Sequence, residues 1–363
     1  MRQCSIAAVV EVEVGAFRPR GEPARVRALG SLGCCNSRRR LARVRLDCRV
    51  ERLFVEGRSR RAARPKRTAE SDPSRHFGRM ACFAAQQPLS DVVGCRLGSE
   101  GALSIARPFF AEFHMANVLI PVPDHDFDPT ETGVPWRTLC QRNHRVVFAT
   151  PNGKIAHADP RMVTGEGLGV LAPLMKADRN GQSAYEQMRE CEEFRHPIAY
   201  GDLDPKDFDG IILPGGHAQG MREYLESSLL QSVAAEFFAR NQPTGAICHG
   251  VLLAARSSRS DGRSVLYGKK TTALTKFMEL TAWTLTRLYL GDYFRTYPET
   301  VEDEVRASLS APEDFIRGPI STFRDSPGNL KRGFTVRDGN YLSARWFGDA
   351  HRFADEFASM LLT

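Results

Sequence analysis

Pro243-Thr244-Gly245-Ala246-Ile247-Cys248-His249-Gly250 decides the fold: a run of small and apolar residues ends in a polar pair, and Val251-Leu252-Leu253-Ala254-Ala255 follows at once. A strand-to-helix turn this tight needs small neighbours and pushes its central side chain out above a sheet, the sequence form of a nucleophile elbow. Cys248 takes the central place. The helix beginning behind it offers unpaired N–H groups and the positive end of a dipole, which favour thiolate over thiol. Most single cysteines are buried and inert. Cys140 and Cys191, each within a helical pattern, are read that way.

Outward from the elbow, strand and helix patterns alternate. Short apolar runs bounded by Pro or Gly predict buried parallel strands over 118–122, 146–149, 210–213 and 244–248. Helical spacing is expected over 130–143, 229–239, 251–255 and 350–361, and over 183–194 inside a long mixed insertion, 159–208. Asp338-Gly339-Asn340 marks a hairpin within 334–345. This order implies an α/β sandwich of flavodoxin-like type, a mainly parallel sheet with helices on both faces.

Open sheets of this kind place their ligands at strand C-termini, and a second loop lies there. Leu213-Pro214-Gly215-Gly216-His217 follows a buried strand with paired glycines, which let backbone N–H groups turn toward a cavity and suit an oxyanion hole. His217 is a candidate for lining the pocket or donating to substrate, and His351 is expected to pack at the last helix. Gly165-Glu166-Gly167-Leu168-Gly169 lacks dinucleotide-loop spacing and is read as a substrate-side loop. No Cys or His spacing matches a zinc site, so neither metal nor cofactor is expected.

Composition divides the chain. Residues 1–114 hold 21 Arg, one Lys and 11 Asp+Glu, a net of +11, whereas residues 115–363 hold 28 Lys+Arg against 32 Asp+Glu, a net of −4. The first third strings Arg-rich stretches between Gly, Pro and Ser without a sustained period, so 1–114 is expected to be a disordered extension to a domain over 115–363. A nucleic-acid-binding tail would mix Lys with Arg and interleave aromatics, and a transit peptide would be poor in acids. The preferred reading is an extension without a selected role, the true start being Met115. Nucleic acid and membrane are not expected as partners, since no uncharged apolar run reaches the roughly 18 residues of a membrane span. Only three of the nine Cys fall in the domain, which without a secretory signal suggests a soluble protein of the reducing cytoplasm.

The Pro-Gly-Gly-His loop, followed about thirty residues later by Ala-Ile-Cys-His-Gly, resembles the ThiJ/PfpI superfamily within the class I glutamine amidotransferase-like fold. Asp128-Pro129-Thr130-Glu131 before Val134-Pro135-Trp136, with the long insertion, is similar to its larger glyoxalase III and chaperone branch. That resemblance implies a carboxyl at Glu131, protonated and hydrogen-bonded to Cys248. It also implies that Glu279, in the segment 268–279, closes a Cys248-His249-Glu279 triad, with Asp292 as competitor. The expected activity is conversion of methylglyoxal and other 2-oxoaldehydes to 2-hydroxy acids through a Cys248 hemithioacetal, by a homodimer. Alternatives are an amidotransferase-like hydrolase, deglycase or peptidase, and a holdase chaperone or redox stress protein.

Overall fold

The computed structural model describes residues 8–13, 27–32, 115–320 and 323–362. The chain divides into two units, Met1–His76 and Phe77–Thr363. In the first, Ala8–Glu13 and Arg27–Leu32 pair antiparallel in a sheet of their own. The disorder expected for 1–114 otherwise lies outside the described residues.

The second unit is built from β1 (Asn117–Pro121), α1 (Pro129–Gln141), β2 (Arg145–Thr150), α2 (Arg179–Glu190), β3 (Ile198–Ala199), β4 (Gly210–Leu213) and α3 (Ser228–Ala239). It continues with β5 (Thr244–Ile247), α4 (Gly250–Arg256), α5 (Lys276–Leu290), α6 (Val301–Ser308), β6 (Thr335–Asp338), β7 (Tyr341–Ala344) and α7 (Ala350–Met360). Seven strands form one sheet in the order β6-β7-β5-β4-β1-β2-β3. All pairs are parallel except the β6-β7 hairpin, which turns at Gly339 (φ 62°). The expected flavodoxin-like α/β arrangement is therefore present.

Every residue of β4 and β5 is buried, which is why these central strands read as unbroken apolar runs rather than alternating ones. Helices α1, α2 and α7 pack together, as do α3, α4 and α6. Close helix approach explains Gly245: a Cβ there would lie 2.8 Å from the ring of Phe353 and 2.9 Å from Phe357, both on α7. These two rings are wholly buried, contributing about 1.5–3 kcal/mol each. Helix α1 starts where its cap dictates, Asp128 Oδ1 accepting from the N–H groups of Thr130 and Glu131, with Pro129 preset for the first helical position.

Helices α5 and α6 have no counterpart in the sequence pattern. The physical reason is that only Glu279 and Thr286 of α5 are buried, so no apolar stripe announces it. Register then sets the site. Leu213 pairs with Ala246 and Ala344 with Ile247, so the residues after β4, β5 and β7 emerge side by side.

Candidate active site

Cys248 stands at the end of β5 with φ 56°, in the left-handed region that a residue with a Cβ rarely enters. Such backbone costs on the order of 1–3 kcal/mol and persists where surrounding structure enforces it. Here the Cys248 N–H donates to Ala344 O at 3.0 Å. Behind it, a Cβ on Gly250 would stand 2.1 Å from Leu213 O. On the facing loop, a Cβ on Gly215 would stand 2.8 Å from Cys248 Cβ and 2.6 Å from Glu131 Oε2. The glycines are thus what lets the two loops close on each other.

Two groups meet at the thiol. His249 Nδ1 lies 3.5 Å from Cys248 Sγ. The Glu131 carboxyl, brought in by the first turn of α1, hydrogen-bonds the same thiol and accepts from the Gly215 N–H at 3.0 Å through Oε2. On its other side the His249 ring meets Thr296, Nε2 to Oγ1 at 3.1 Å, and that hydroxyl donates to His217 O at 2.6 Å. Cys248, His249, Glu131 and Thr296 are all buried.

Burial governs the protonation of the cluster. It holds the His249 imidazole down at about 3, helped by His217 and Arg256, so the ring is neutral around pH 7. Burial, then the charge of Asp128, pushes Glu131 well above the usual carboxylate range. Asp128 itself rises to about 6, again mainly by burial. Burial and these two carboxyls also push the Cys248 thiol up. Burial thus works against the thiolate that the N-terminus of the seven-residue α4 was expected to favour. One anionic charge shared by Cys248 and Glu131 is tolerable, two are not.

The chain matches the family model described as ThiJ/PfpI family-like over residues 122–308. It belongs to that family. Deglycase TK1284 of Thermococcus kodakarensis is 24% identical over 206 residues, 54% of this chain and 93% of that protein. Glutathione-independent glyoxalase hsp3101 of Schizosaccharomyces pombe is 36% identical over 81 residues, which span 22% of this chain and 33% of that protein. An uncharacterized protein of the same yeast, C14C4.04, is 31% identical over 120 residues, 32% of this chain and 43% of that one. One solved crystal structure, 22% identical, superposes with a TM-score of 0.51 across 68% of this chain and 98% of its own, and shares the fold.

Of the residues the ThiJ/PfpI resemblance singled out, Cys248, His249, Glu131 and the Gly215-Gly216 loop come together. Glu279 does not reach the imidazole. Its Oε2 accepts from Val301 N–H at 2.9 Å and its Oε1 lies 3.5 Å from Arg295 Nε, while both ring nitrogens of His249 face Cys248 and Thr296. The Cys248-His249-Glu279 hydrogen-bonded triad is therefore corrected. Asp292 is no substitute, since the two ring nitrogens face Cys248 and Thr296 and its own Oδ1 accepts from Trp283 Nε1. Gly215 also differs from expectation, because its N–H is taken by Glu131. The Gly216 N–H has no acceptor among the described residues, and Gly216 needs to be glycine: its φ is 153° and a Cβ would stand 2.7 Å from Asp126 O.

His217 forms a wall of the site. Its ring stacks on Phe294 at 4.5 Å, meets Tyr293 edge-on at 5.1 Å and lies 6.5 Å from that of His249. Burial holds it at about 3, and its Nε2 is buried without a partner among the described residues. Met162 and Leu168 pack with Tyr293 and Phe294, so the Gly165–Gly169 loop borders this wall. His351 lines a separate cavity with Arg137 and Asp355. Among the described residues no group of three His, Cys, Asp or Glu could hold a metal ion, and no helix is long and apolar enough to cross a membrane. Thr296, which sequence reasoning missed, carries no signal beyond that of any loop threonine.

Proposed function

We propose that this chain is a cofactor-independent cysteine enzyme that converts small 2-oxoaldehydes, methylglyoxal among them, to 2-hydroxy acids. The observation that carries this reading is the Cys248 thiol on a strained elbow, buried against the Nδ1 of a neutral imidazole. The matches to a deglycase and a glutathione-independent glyoxalase support a reactive carbonyl as substrate class. Burial supports a small one: Cys248 is 4% exposed. In this proposal a buried thiol favours such a substrate over a glycated protein or a peptide, and the deglycase, hydrolase and peptidase readings rank second.

In the proposed reaction His249 Nδ1 takes the thiol proton as Sγ bonds to the aldehyde carbon, and the carbonyl oxygen becomes the hydroxyl of a hemithioacetal. The same nitrogen then moves the C1 proton to C2 through an enediol. C1 is oxidised to a thioester while C2 is reduced to an alcohol, so no outside electron carrier is needed. Water cleaves the thioester, releasing the 2-hydroxy acid and restoring the thiol. The Gly216 N–H is the proposed donor to the oxyanion.

A holdase reading is favoured by a separate observation. Phe277, Leu285, Leu288 and Tyr289 of α5 are exposed, Leu288 at 92%. The two readings part on one substitution. Cys248→Ala is expected to abolish lactate formation from methylglyoxal, and unchanged lactate formation would overturn the lead reading; suppression of aggregation surviving the substitution supports the holdase. The homodimer and the cytoplasmic location belong to the proposal, and size-exclusion chromatography with light scattering checks the former.

A further inference from the structure

We infer that Thr296 is the positioning residue of His249, fixing its Nε2–H tautomer and leaving Nδ1 bare as the proton acceptor for Cys248. The catalytic consequence rests on the nucleophile reading above; the tautomer itself is a property of the resting protein.

The assignment follows from counting hydrogens. A hydroxyl has one hydrogen to donate and two lone pairs. Thr296 Oγ1 is 2.6 Å from His217 O, a carbonyl that can only accept, so the hydrogen points there. The same oxygen is 3.1 Å from His249 Nε2. With its hydrogen spent it must accept, and Nε2 must carry the proton. A neutral imidazole has one N–H, so Nδ1, the atom 3.5 Å from Cys248 Sγ, is left with a free lone pair.

Thr296 is itself firmly held. It is wholly buried, and Arg222 donates to its carbonyl through Nε at 2.9 Å and Nη2 at 2.5 Å. The next residue, Tyr297, has the Arg222 and Arg256 guanidinium groups over its ring at 4.9 and 4.2 Å. Glu279 takes part at one remove, since its carboxyl ties Arg295 and the Val301 N–H at the two ends of this segment. A hydroxyl orients a ring as a carboxylate does, but it does not stabilise imidazolium charge. His249 is thereby an acceptor that takes a proton during the reaction rather than a resting partner of a thiolate.

The test is long-range proton–nitrogen NMR of the ¹⁵N-labelled full chain, with His249 signals assigned by their loss in His249→Asn. The wild type is expected to show a pyridine-like Nδ1 and a protonated Nε2, and Thr296→Ser to keep both. Thr296→Val is expected to shift the ring toward the other tautomer and lower kcat with methylglyoxal about ten- to hundredfold, with KM little changed. An Nδ1–H tautomer in the wild type, or ring signals unmoved by Thr296→Val, overturns the assignment. Ring signals as expected with no turnover by the wild type uphold the assignment and overturn the reaction proposed above.

Discussion

At the residue scale, burial and the carboxyls of Glu131 and Asp128 push the Cys248 thiol up, and the proposed reaction depends on where one proton sits between sulfur, Glu131 and His249. His249→Ala is expected to reduce kcat/KM for methylglyoxal by about 10²–10⁴, read from initial rates of lactate formation. Glu131 is both a hydrogen-bond partner of the thiol and the acceptor for the Gly215 N–H. Glu131→Gln keeps an oxygen for that N–H, whereas Glu131→Ala orphans a buried donor and should cost about 1–3 kcal/mol more, measured by urea unfolding of both variants. Cys248, His249 and the paired glycines were legible because a tight turn demands particular residue types at fixed spacing. Thr296 was not, since one threonine in a loop looks the same whether it faces solvent or an imidazole. Glu279 shows the limit of carrying a role over by position: the acid is present and buried, yet its oxygens are spent on Arg295 and Val301.

At the scale of elements, the junction of β4, β5 and α4 leaves no room for a methyl group. Gly250→Ala would place a Cβ 2.1 Å from Leu213 O, and the variant is expected to lose at least about 3 kcal/mol or fail to fold, seen in its urea midpoint. Strands β1, β2, β4 and β5 could be read from sequence because burial on both faces leaves continuous apolar runs. Helix α5 could not, having buried polar residues and exposed Phe277, Leu285 and Leu288. Its first turn also carries a pH signature. Burial lifts Glu279 from 4.5 to about 7, so between these values the folded chain keeps a proton that the unfolded chain releases. That contribution to stability is full below pH 4.5 and falls as pH rises to about 7. Glu279→Gln removes this slope, and relative to wild type the variant should gain on the order of 2 kcal/mol between pH 5 and pH 8. Urea melts at both pH values check the sign.

At the scale of the whole molecule, the domain proposed for residues 115–363 contains the seven-stranded sheet, its helices and every residue of the candidate site. Expressed alone, it is expected to unfold within about 1 kcal/mol of the full chain, as judged by urea midpoints, because its described core lies wholly within that range. That division is proposed from charge, a net of +11 before residue 115 and −4 after it. Substrate is less legible, because an elbow cysteine suggests an attacking atom and not what it attacks. The direct test is to give the full chain and its Cys248→Ala variant methylglyoxal, following lactate by NMR and the protein by intact mass. Turnover to lactate by the wild type, with a mass increment on Cys248 and neither in the variant, is the expected result. Lactate formed equally by both proteins would contradict a nucleophilic Cys248.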